Sequence, residues 1–258
     1  MNWNEWKSYY QLIIKKLKID SSLDENSAQI LNSLLDQKVN KELVETDLKE
    51  LIANSNAFIF GCGPSLRKMV KQLKKTNLEG INIAADGAIS ALLEYNIFCH
   101  INVSDLDGNI KDSLKANSNG TITIIHAHGD NIPLIKEYTP KFTKKILGSV
   151  QVKPFGNLVN YGGFTDGDRG IFLAENFNCK RIILVGFDFG FTVGEYSKPS
   201  LGEHIAGKNK TIKLEFASFL ISEILKKNDI EIFSLSTNSN IKGVKSISVE
   251  KLKKLLKK

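Results

Sequence analysis

Two aspartates one residue apart, Asp105 and Asp107, follow an apolar run at 98–103 and precede Gly108. Side chains two positions apart in an extended chain point to the same side, so both carboxylates can address one hard cation or a pair of cations. Magnesium in phosphoryl-transfer enzymes is usually held by one or two carboxylates together with nucleotide phosphate oxygens. The pair therefore favours a magnesium site over a solvated acidic turn.

A glycine turn, Gly61-Cys62-Gly63-Pro64-Ser65, lies between an apolar run at 57–60 and a segment with helical spacing from Leu66. The glycines allow close approach of the backbone to a ligand, and Ser65 can cap a helix whose N–H groups attract an anion. Phosphate binding is the functional interpretation. A structural turn is the alternative, because the segment is neither a P-loop nor a complete dinucleotide fingerprint.

The segment at 126–131 carries His126, His128 and Asp130 at alternate positions after an apolar run at 121–125. This pattern resembles the start of binuclear zinc hydrolases, so a zinc enzyme is a competing interpretation. Against it, Asn131 stands where that pattern normally has another histidine, and two further histidines remain in the chain. With magnesium, Asp130 would instead serve as an oxygen ligand or base, and the histidines would contact phosphate.

A second glycine-rich turn, at 162–169, ends in Asp166, Asp168 and Arg169 and opens a helical segment at 170–176. Thr165 or Asp166 is placed to cap that helix. The planar guanidinium of Arg169 on such a turn suits phosphate. A capped helix with a surface ion pair is the structural alternative.

Two further aspartates stand at the ends of apolar runs. Asp86 follows the run at 81–85 and could cap a helix or hydrogen-bond a ribose or base. Asp188 follows the run at 181–185, between two phenylalanines, and could recognise a heterocycle through paired N–H donors. We expect the phenylalanines to belong to the core.

The elements that must position these residues alternate in type from residue 57 onward. Short apolar runs end in Gly, Asp or Asn and are followed by helical segments, which predicts an α/β, Rossmann-like domain with a mostly parallel sheet and helices on both faces. The carboxyl ends of parallel strands share one edge, so the separate motifs can converge on one site there. A long loop at 191–210 is typical of a lid or binding loop.

The first fifty-odd residues contain no strand-like run, and their apolar residues recur at helical spacing. We therefore predict a helical N-terminal region at 1–55 and an α/β catalytic domain at 56–258. Late in the chain we expect a helix at 212–227, a strand at 231–235 and a closing helix at 249–256.

The composition limits the partners. A formal charge of +7 comes almost wholly from lysine, with arginine only at Arg67, Arg169 and Arg181, which argues against nucleic-acid recognition and suits anionic substrates. Three widely spaced cysteines indicate reduced thiols and a cytoplasmic protein. No apolar stretch is long enough for a membrane span, and no signal peptide is recognisable. The sequence leaves open a homo-oligomer.

These motifs, in this order, resemble the archaeal 6-hydroxymethyl-7,8-dihydropterin pyrophosphokinase family, whose fold is related to the catalytic domain of thiamine pyrophosphokinase. The resemblance covers roughly 55–235. It implies transfer of a diphosphate from ATP to the hydroxymethyl group of a reduced pterin, with release of AMP and with Mg²⁺ as cofactor. Because thiamine pyrophosphokinases bind magnesium with a comparable aspartate pair, Asp105 and Asp107 would inherit that role.

The resemblance and the motifs together give a set of expected site residues. Asp105, Asp107 and Asp130 are expected to be catalytic and to hold the metal. Contacts with ATP or the other substrate are expected from Gly61, Gly63, Ser65, Asp86, His126, His128, Asp166, Asp168, Arg169 and Asp188.

Several alternatives stay open at this point. Thiamine could be the acceptor, since the catalytic architecture is shared. A metal-dependent hydrolase would use the histidine motif, and a glycosyltransferase related to bacterial motility-accessory proteins would use the aspartate pair with a sugar nucleotide. A non-catalytic nucleotide-binding module is the fourth option. The sequence does not say whether the N-terminal helices contact substrate.

Overall fold

The computed structural model describes residues 1–36, 38–76, 79–198, 200–236, 239 and 241–256. Its first part is three helices: α1 Trp3–Leu17, α2 Ser21–Leu35 and α3 Lys41–Ile52. Each begins after a residue whose side chain accepts a backbone N–H of the first turn, namely Asn2, Asp20 and Asn40. The helical N-terminal region expected from the apolar periodicity is confirmed.

The rest of the described chain is built around a nine-stranded parallel sheet in the order β11-β10-β7-β1-β2-β3-β4-β5-β6. The strands are β1 Asn56–Phe60, β2 Ile81–Ala85, β3 Ile101–Ser104, β4 Ile122–Ala127, β5 Ile146–Val150, β6 Leu158–Val159, β7 Arg181–Val185, β10 Glu231–Ser234 and β11 Lys245–Ser246. A separate antiparallel hairpin joins β8 Thr192–Val193 and β9 His204–Ile205.

Helices cover both faces of the sheet, as the α/β pattern predicts. They are α4 Leu66–Lys74, α5 Ala88–Glu94, α6 Ile110–Ser118, α7 Ile132–Tyr138, α8 Asp166–Asn176, α9 Lys208–Lys227 and α10 Val249–Leu256. Buried residues of α4, α5 and α10 form one apolar cluster, and those of α8, α9 and the N-terminal helices form the other. Apolar side chains on each helix are thereby removed from water against the strands, which is the main source of stability in such a layered domain.

The N-terminal helices share their core with the sheet. Trp6, Leu31 and Leu48 are fully buried in the same apolar cluster as Leu147 of β5. The indole Nε1 of Trp6 donates to the carbonyl of Gln151, directly after β5, at 2.8 Å. These helices therefore reach the carboxyl edge of the sheet, where the motifs lie.

Several elements differ from the sequence expectations. Strand β4 extends through His126, so that histidine is a buried strand residue, and α8 begins at Asp166 and not near 170. Strand β5 was not predicted, because Gly148 interrupts its apolar run. A Cβ at Gly148 would lie 2.5 Å from Leu158 and 2.6 Å from Leu35, so this glycine lets neighbouring side chains approach the strand.

The long loop at 191–210 contains the β8–β9 hairpin, and α9 begins within it, at Lys208. None of the helices in the described part of the chain combines the length and the apolarity needed to cross a bilayer.

Candidate active site

A cavity of about 690 Å³ opens at the carboxyl edge of the sheet. Strand β1 lies between β7 and β2, so the chain direction of the crossovers reverses there, and ligands of open α/β sheets bind at such a point. The cavity wall includes these expected site residues: Gly61, Gly63, Asp86, Asp105, Asp107, His126, His128, Asp130, Asp166 and Asp188. Separate sequence motifs thus converge on one cavity.

Three carboxylates form a cluster on the cavity floor, which we call the acidic trio: Asp86, Asp105 and Asp107. One oxygen of each lies within 4.8 Å of the others. Asp86 does not cap α5, whose N-cap residue is Gly87; instead its Oδ1 accepts the hydroxyl of Ser104 at 2.7 Å. A Cβ at Gly108 would lie 2.2 Å from Asp86 Oδ2, so the glycine after the aspartate pair makes room for this third carboxylate.

The acidic trio carries more negative charge than its surroundings balance. Burial, together with the charges of Asp105 and Asp107, raises the pKa of Asp86 to about 7. Burial and Asp105 also raise the pKa of Asp107. The pKa of Asp105 is affected by burial as well, but hydrogen bonding and charge from His128 hold it below its usual value. A divalent cation would relieve this repulsion, and an all-oxygen donor set suits Mg²⁺ better than Zn²⁺.

Asp130 stands apart from the acidic trio. Its side chain is 89% exposed and lies 4.0 Å from Nδ1 of His128 at the cavity rim. The geometry therefore favours Asp86 over Asp130 as the third carboxylate for a metal. The sequence did not reveal this, because the approach of Asp86 depends on the pairing of β2 with β3.

The two histidines have different environments. His128 lies with Nε2 3.4 Å from Asp105 Oδ2 and so joins the histidine motif to the aspartate pair. His126 is buried and donates from Nδ1 to the carbonyl of Ser149 at 3.1 Å. Burial and the nearby charge of Arg169 lower the pKa of His126 well below its usual value, so its ring is neutral at physiological pH.

Ser65 and Asp188 connect the first and last motifs. Asp188 Oδ2 accepts both the backbone N–H of Ser65, at 2.8 Å, and its hydroxyl, at 2.6 Å. Ser65 therefore orients Asp188. Its position in the sequence suggested a helix cap, but its side chain makes no capping hydrogen bond to α4. Both flanking aromatics line the cavity; Phe187 is also buried in the core, as expected, whereas Phe189 is half-buried.

Asp168 and Arg169 do not line the cavity. Asp168 is fully buried and accepts the backbone N–H groups of Phe164 and Thr165, each at 2.7 Å, and the hydroxyl of Thr165. It thereby fixes the start of α8. Arg169 is 4% exposed, and its Nη1 donates to Ser149 Oγ at 3.3 Å, so it forms no surface ion pair. Burial lowers the pKa of Arg169 to about 10.

The cavity also contains residues that the sequence motifs did not indicate. Lys198 and Lys210 come from the long loop and the start of α9, and Lys198 Nζ lies 3.8 Å from Asp107 Oδ2. The length and lysine content of that loop were the available signal. Another part of the wall comes from the end of α1, the connection to α2 and the first turn of α2, including Leu23 and Asp24. No sequence pattern marked that segment, because its role depends on tertiary packing.

Comparison with known proteins places the chain in a family. Residues 25–194 match the family described as 6-hydroxymethylpterin diphosphokinase MptE-like. A curated protein of Methanocaldococcus jannaschii named 6-hydroxymethyl-7,8-dihydropterin pyrophosphokinase is 42% identical over 90% of this chain and 99% of its own length. A protein of the same name from Pyrococcus furiosus is 42% identical, with 88% of this chain and 96% of its own length covered.

A more distant likeness concerns the fold alone. The structure of the Maf glycosyltransferase from Magnetospirillum magneticum AMB-1 superposes with a TM-score of 0.54 at 14% identity. The match covers 81% of this chain but 38% of that one. The extent of the family match and the identity to the curated relatives decide the assignment: the chain belongs to the MptE-like 6-hydroxymethylpterin diphosphokinase family.

Proposed function

We propose that this protein transfers a diphosphate group from ATP to the hydroxymethyl group of 6-hydroxymethyl-7,8-dihydropterin. Two relatives that are 42% identical over nearly their whole length carry the name of this activity. The structural observation that carries the proposal is the acidic trio, which faces a cavity large enough for a nucleotide and lies beside a glycine turn. This combination suits a metal-dependent phosphoryl transfer.

The reaction joins the pterin hydroxymethyl oxygen to the β-phosphorus of ATP. The bond between that phosphorus and the oxygen bridging it to the α-phosphorus breaks, and AMP leaves with the bridging oxygen. The hydroxyl proton passes to a base, for which Asp130 is our proposal since it lines the cavity beside His128. Positioning of the two substrates supplies most of the acceleration in such reactions.

Mg²⁺ is the proposed cofactor, held by Asp86, Asp105 and Asp107, and it would neutralise charge on the transferred phosphates. The residues of the chain supply the rest of the phosphate environment. The positive charges of Lys198 and Lys210 would attract the nucleotide, and the glycines of the turn at 61–65 would let its phosphates approach the backbone. Asp188, held by Ser65, would accept N–H donors of a bound heterocycle.

Product analysis tests this function. Wild-type protein with ATP, Mg²⁺ and the reduced hydroxymethylpterin should form AMP and the pterin diphosphate in equal amounts. Thiamine serves as the competing acceptor, and a pterin without the hydroxyl group serves as the control. Formation of ADP, or of AMP without a diphosphorylated pterin, would contradict the proposal.

A further inference from the structure

The cavity has two parts on opposite sides of the acidic trio. One part lies at the ends of β1 and β7 and is lined by Gly61, Gly63 and Asp188. The other lies at the ends of β4 and β5, and residues 17–24, from the end of α1 to the first turn of α2, form its outer wall. We call this second part the N-terminal lobe and define it by residues 17–24, His126, His128, Gln151 and Phe164.

Asp24 organises the polar side of the N-terminal lobe. It is 2% exposed, and its carboxylate accepts hydrogen bonds from Tyr10 Oη at 2.7 Å, from the backbone N–H of Gly129 at 2.8 Å and from Gln151 Nε2 at 2.6 Å. These three donors occupy most of the acceptor capacity of the carboxylate. Asp24 is therefore a positioning residue, which ties α1 and the histidine loop to the end of β5.

The contact with Asp24 fixes the orientation of Gln151. The amide nitrogen Nε2 of Gln151 donates to Asp24 Oδ2 at 2.6 Å and so points toward Asp24. The amide oxygen Oε1 then remains as an acceptor on a residue that lines the cavity. Because Gln151 is 3% exposed and held at one end, its oxygen is a preorganised partner for an N–H donor.

The N-terminal lobe has an apolar part beside polar residues that include Lys18, Asp20, His126 and His128. Leu17, Ile19 and Leu23 line it from the N-terminal segment, and Phe164 lines it from the turn before α8. Apolar side chains with a few fixed polar groups are typical of sites for flat heterocycles, because the faces of the ring are desolvated and its edge is recognised by hydrogen bonds.

We propose that the N-terminal lobe binds the ring of the acceptor substrate, with N–H groups of a 2-amino-4-oxopyrimidine edge donating to Gln151 Oε1. This inference rests on the proposed function. The ring would lie against Leu23 and Phe164, and its hydroxymethyl group would point to the acidic trio, with the nucleotide on the other side. The N-terminal helices would thus be part of the substrate site and would contribute to recognition of the acceptor substrate.

Steady-state kinetics with both substrates varied tests the lobe. The test variants are Leu23→Ala, which trims a side chain that is 46% exposed and leaves the bonds of Asp24 intact, and Gln151→Met, which removes the acceptor oxygen together with the donor to Asp24 at similar size. Leu43→Ala on α3 is the matched control, since Leu43 is 63% exposed and lies outside the cavity wall. We expect the KM for the pterin to rise at least threefold in Leu23→Ala and about tenfold in Gln151→Met, as expected for one lost hydrogen bond. The KM for ATP should change by less than twofold, and Leu43→Ala should match the wild type.

Direct binding of the pterin, followed by its fluorescence without ATP, separates the lobe from the reaction. One outcome is that wild-type protein forms AMP while Leu23→Ala and Gln151→Met keep the wild-type KM for the pterin. The proposed reaction would then be supported, and the proposal that the N-terminal lobe binds the pterin would be rejected. If wild-type protein binds the pterin without forming AMP, and Leu23→Ala weakens that binding, the proposed reaction is rejected and pterin binding in the N-terminal lobe is supported. Equal increases in the KM for ATP and for the pterin in these variants would also contradict pterin binding in the N-terminal lobe.

Discussion

The hydroxyl of Ser65 donates to Asp188 Oδ2 across 2.6 Å and so joins the turn after β1 to the turn after β7. These residues are 123 positions apart, but their strands are neighbours in the sheet. Gly63 makes the approach feasible, because a Cβ there would lie 2.5 Å from Asp188 Oδ2 and 2.5 Å from the carbonyl oxygen of Gly186. The shape of the first motif is therefore set by the last one.

Replacement of Gly63 should disrupt this junction. We expect Gly63→Ala to raise the KM for ATP about tenfold and to lower the melting temperature, because the added methyl group overlaps two oxygens. Gly190→Ala is the matched control, since a Cβ at Gly190 would meet nothing within 4 Å. That control should stay within about 0.5 kcal/mol of the wild type in stability. Identical behaviour of the two variants would mean that the junction is not needed.

The metal requirement should distinguish the carboxylates of the cavity. Asp107→Asn should lower turnover on the order of a hundredfold, equivalent to about 2.7 kcal/mol of transition-state stabilisation. Its melting temperature should change little, since the Asp107 side chain is 45% exposed. The Mg²⁺ concentration needed for half-maximal activity should also rise in Asp107→Asn and in Asp86→Asn.

Asp130→Asn provides the comparison, because Asp130 lines the same cavity outside the acidic trio. As the proposed base it should lower turnover and leave the Mg²⁺ requirement unchanged. Activity titrations with Mg²⁺ on the three variants decide the matter. A changed Mg²⁺ requirement in Asp130→Asn alone would assign the metal to Asp130 instead of Asp86.

The raised pKa of Asp86 predicts a pH-dependent stability. Its pKa is about 7 in the folded protein and 3.8 ordinarily, so between these values the folded state holds a proton that the unfolded state has lost. The free energy of unfolding therefore falls as pH rises from about 4 to about 7. Asp86→Asn removes this penalty, and without divalent cations it should melt about 3 °C or more above the wild type at pH 8.

The difference between Asp86→Asn and the wild type should shrink as the pH is lowered to 5. Addition of Mg²⁺ at pH 8 should stabilise the wild type more than the variant. A melting-temperature difference that is constant from pH 5 to pH 8 would show that the charge of Asp86 does not oppose folding.

Local sequence patterns predicted much of the fold. The bounds of β2 and β7 agree with the apolar runs at 81–85 and 181–185, because each run ends at a residue that breaks the strand. Strand β5 was not predicted, because Gly148 interrupts its apolar run. The glycine accommodates Leu35 of α2, and this contact cannot be seen in a local sequence pattern. Likewise Asp168 looked like a ligand contact because it follows a glycine-rich turn, whereas its partners are backbone groups of that turn.

The convergence of the motifs was predictable from the rule for parallel strands, but their division of labour was not. The place of Asp86 in the acidic trio depends on the pairing of β2 with β3 and on the space at Gly108. The N-terminal wall depends on hydrogen bonds between Asp24 and Gly129, 105 positions away, and Gln151, 127 positions away. Such contacts follow from the packed structure and leave no trace in local spacing.

Asp166 and Asp168, two neighbours in the first turn of α8, should respond in opposite ways to truncation. Asp168→Ala removes the acceptor of the buried backbone N–H of Phe164 and of the half-buried N–H and hydroxyl of Thr165. Loss of such bonds and of the helix cap should cost about 3 kcal/mol, or roughly 6 to 12 °C in melting temperature for a chain of this size.

Asp166 faces the cavity, where burial and the charges of Asp105 and Asp86 raise its pKa well above the usual value. Its carboxylate is thus in an unfavourable site when ionised, and Asp166→Ala should leave the melting temperature at pH 8 unchanged or higher. Calorimetry of both variants at pH 8 without divalent cations, with the KM for ATP measured in parallel, makes the comparison. A stable Asp168→Ala variant with a raised KM for ATP would show that Asp168 contacts the nucleotide. A large loss of stability in Asp166→Ala would show that the charge of Asp166 stabilises the N-terminus of α8 more than the neighbouring carboxylates destabilise that charge.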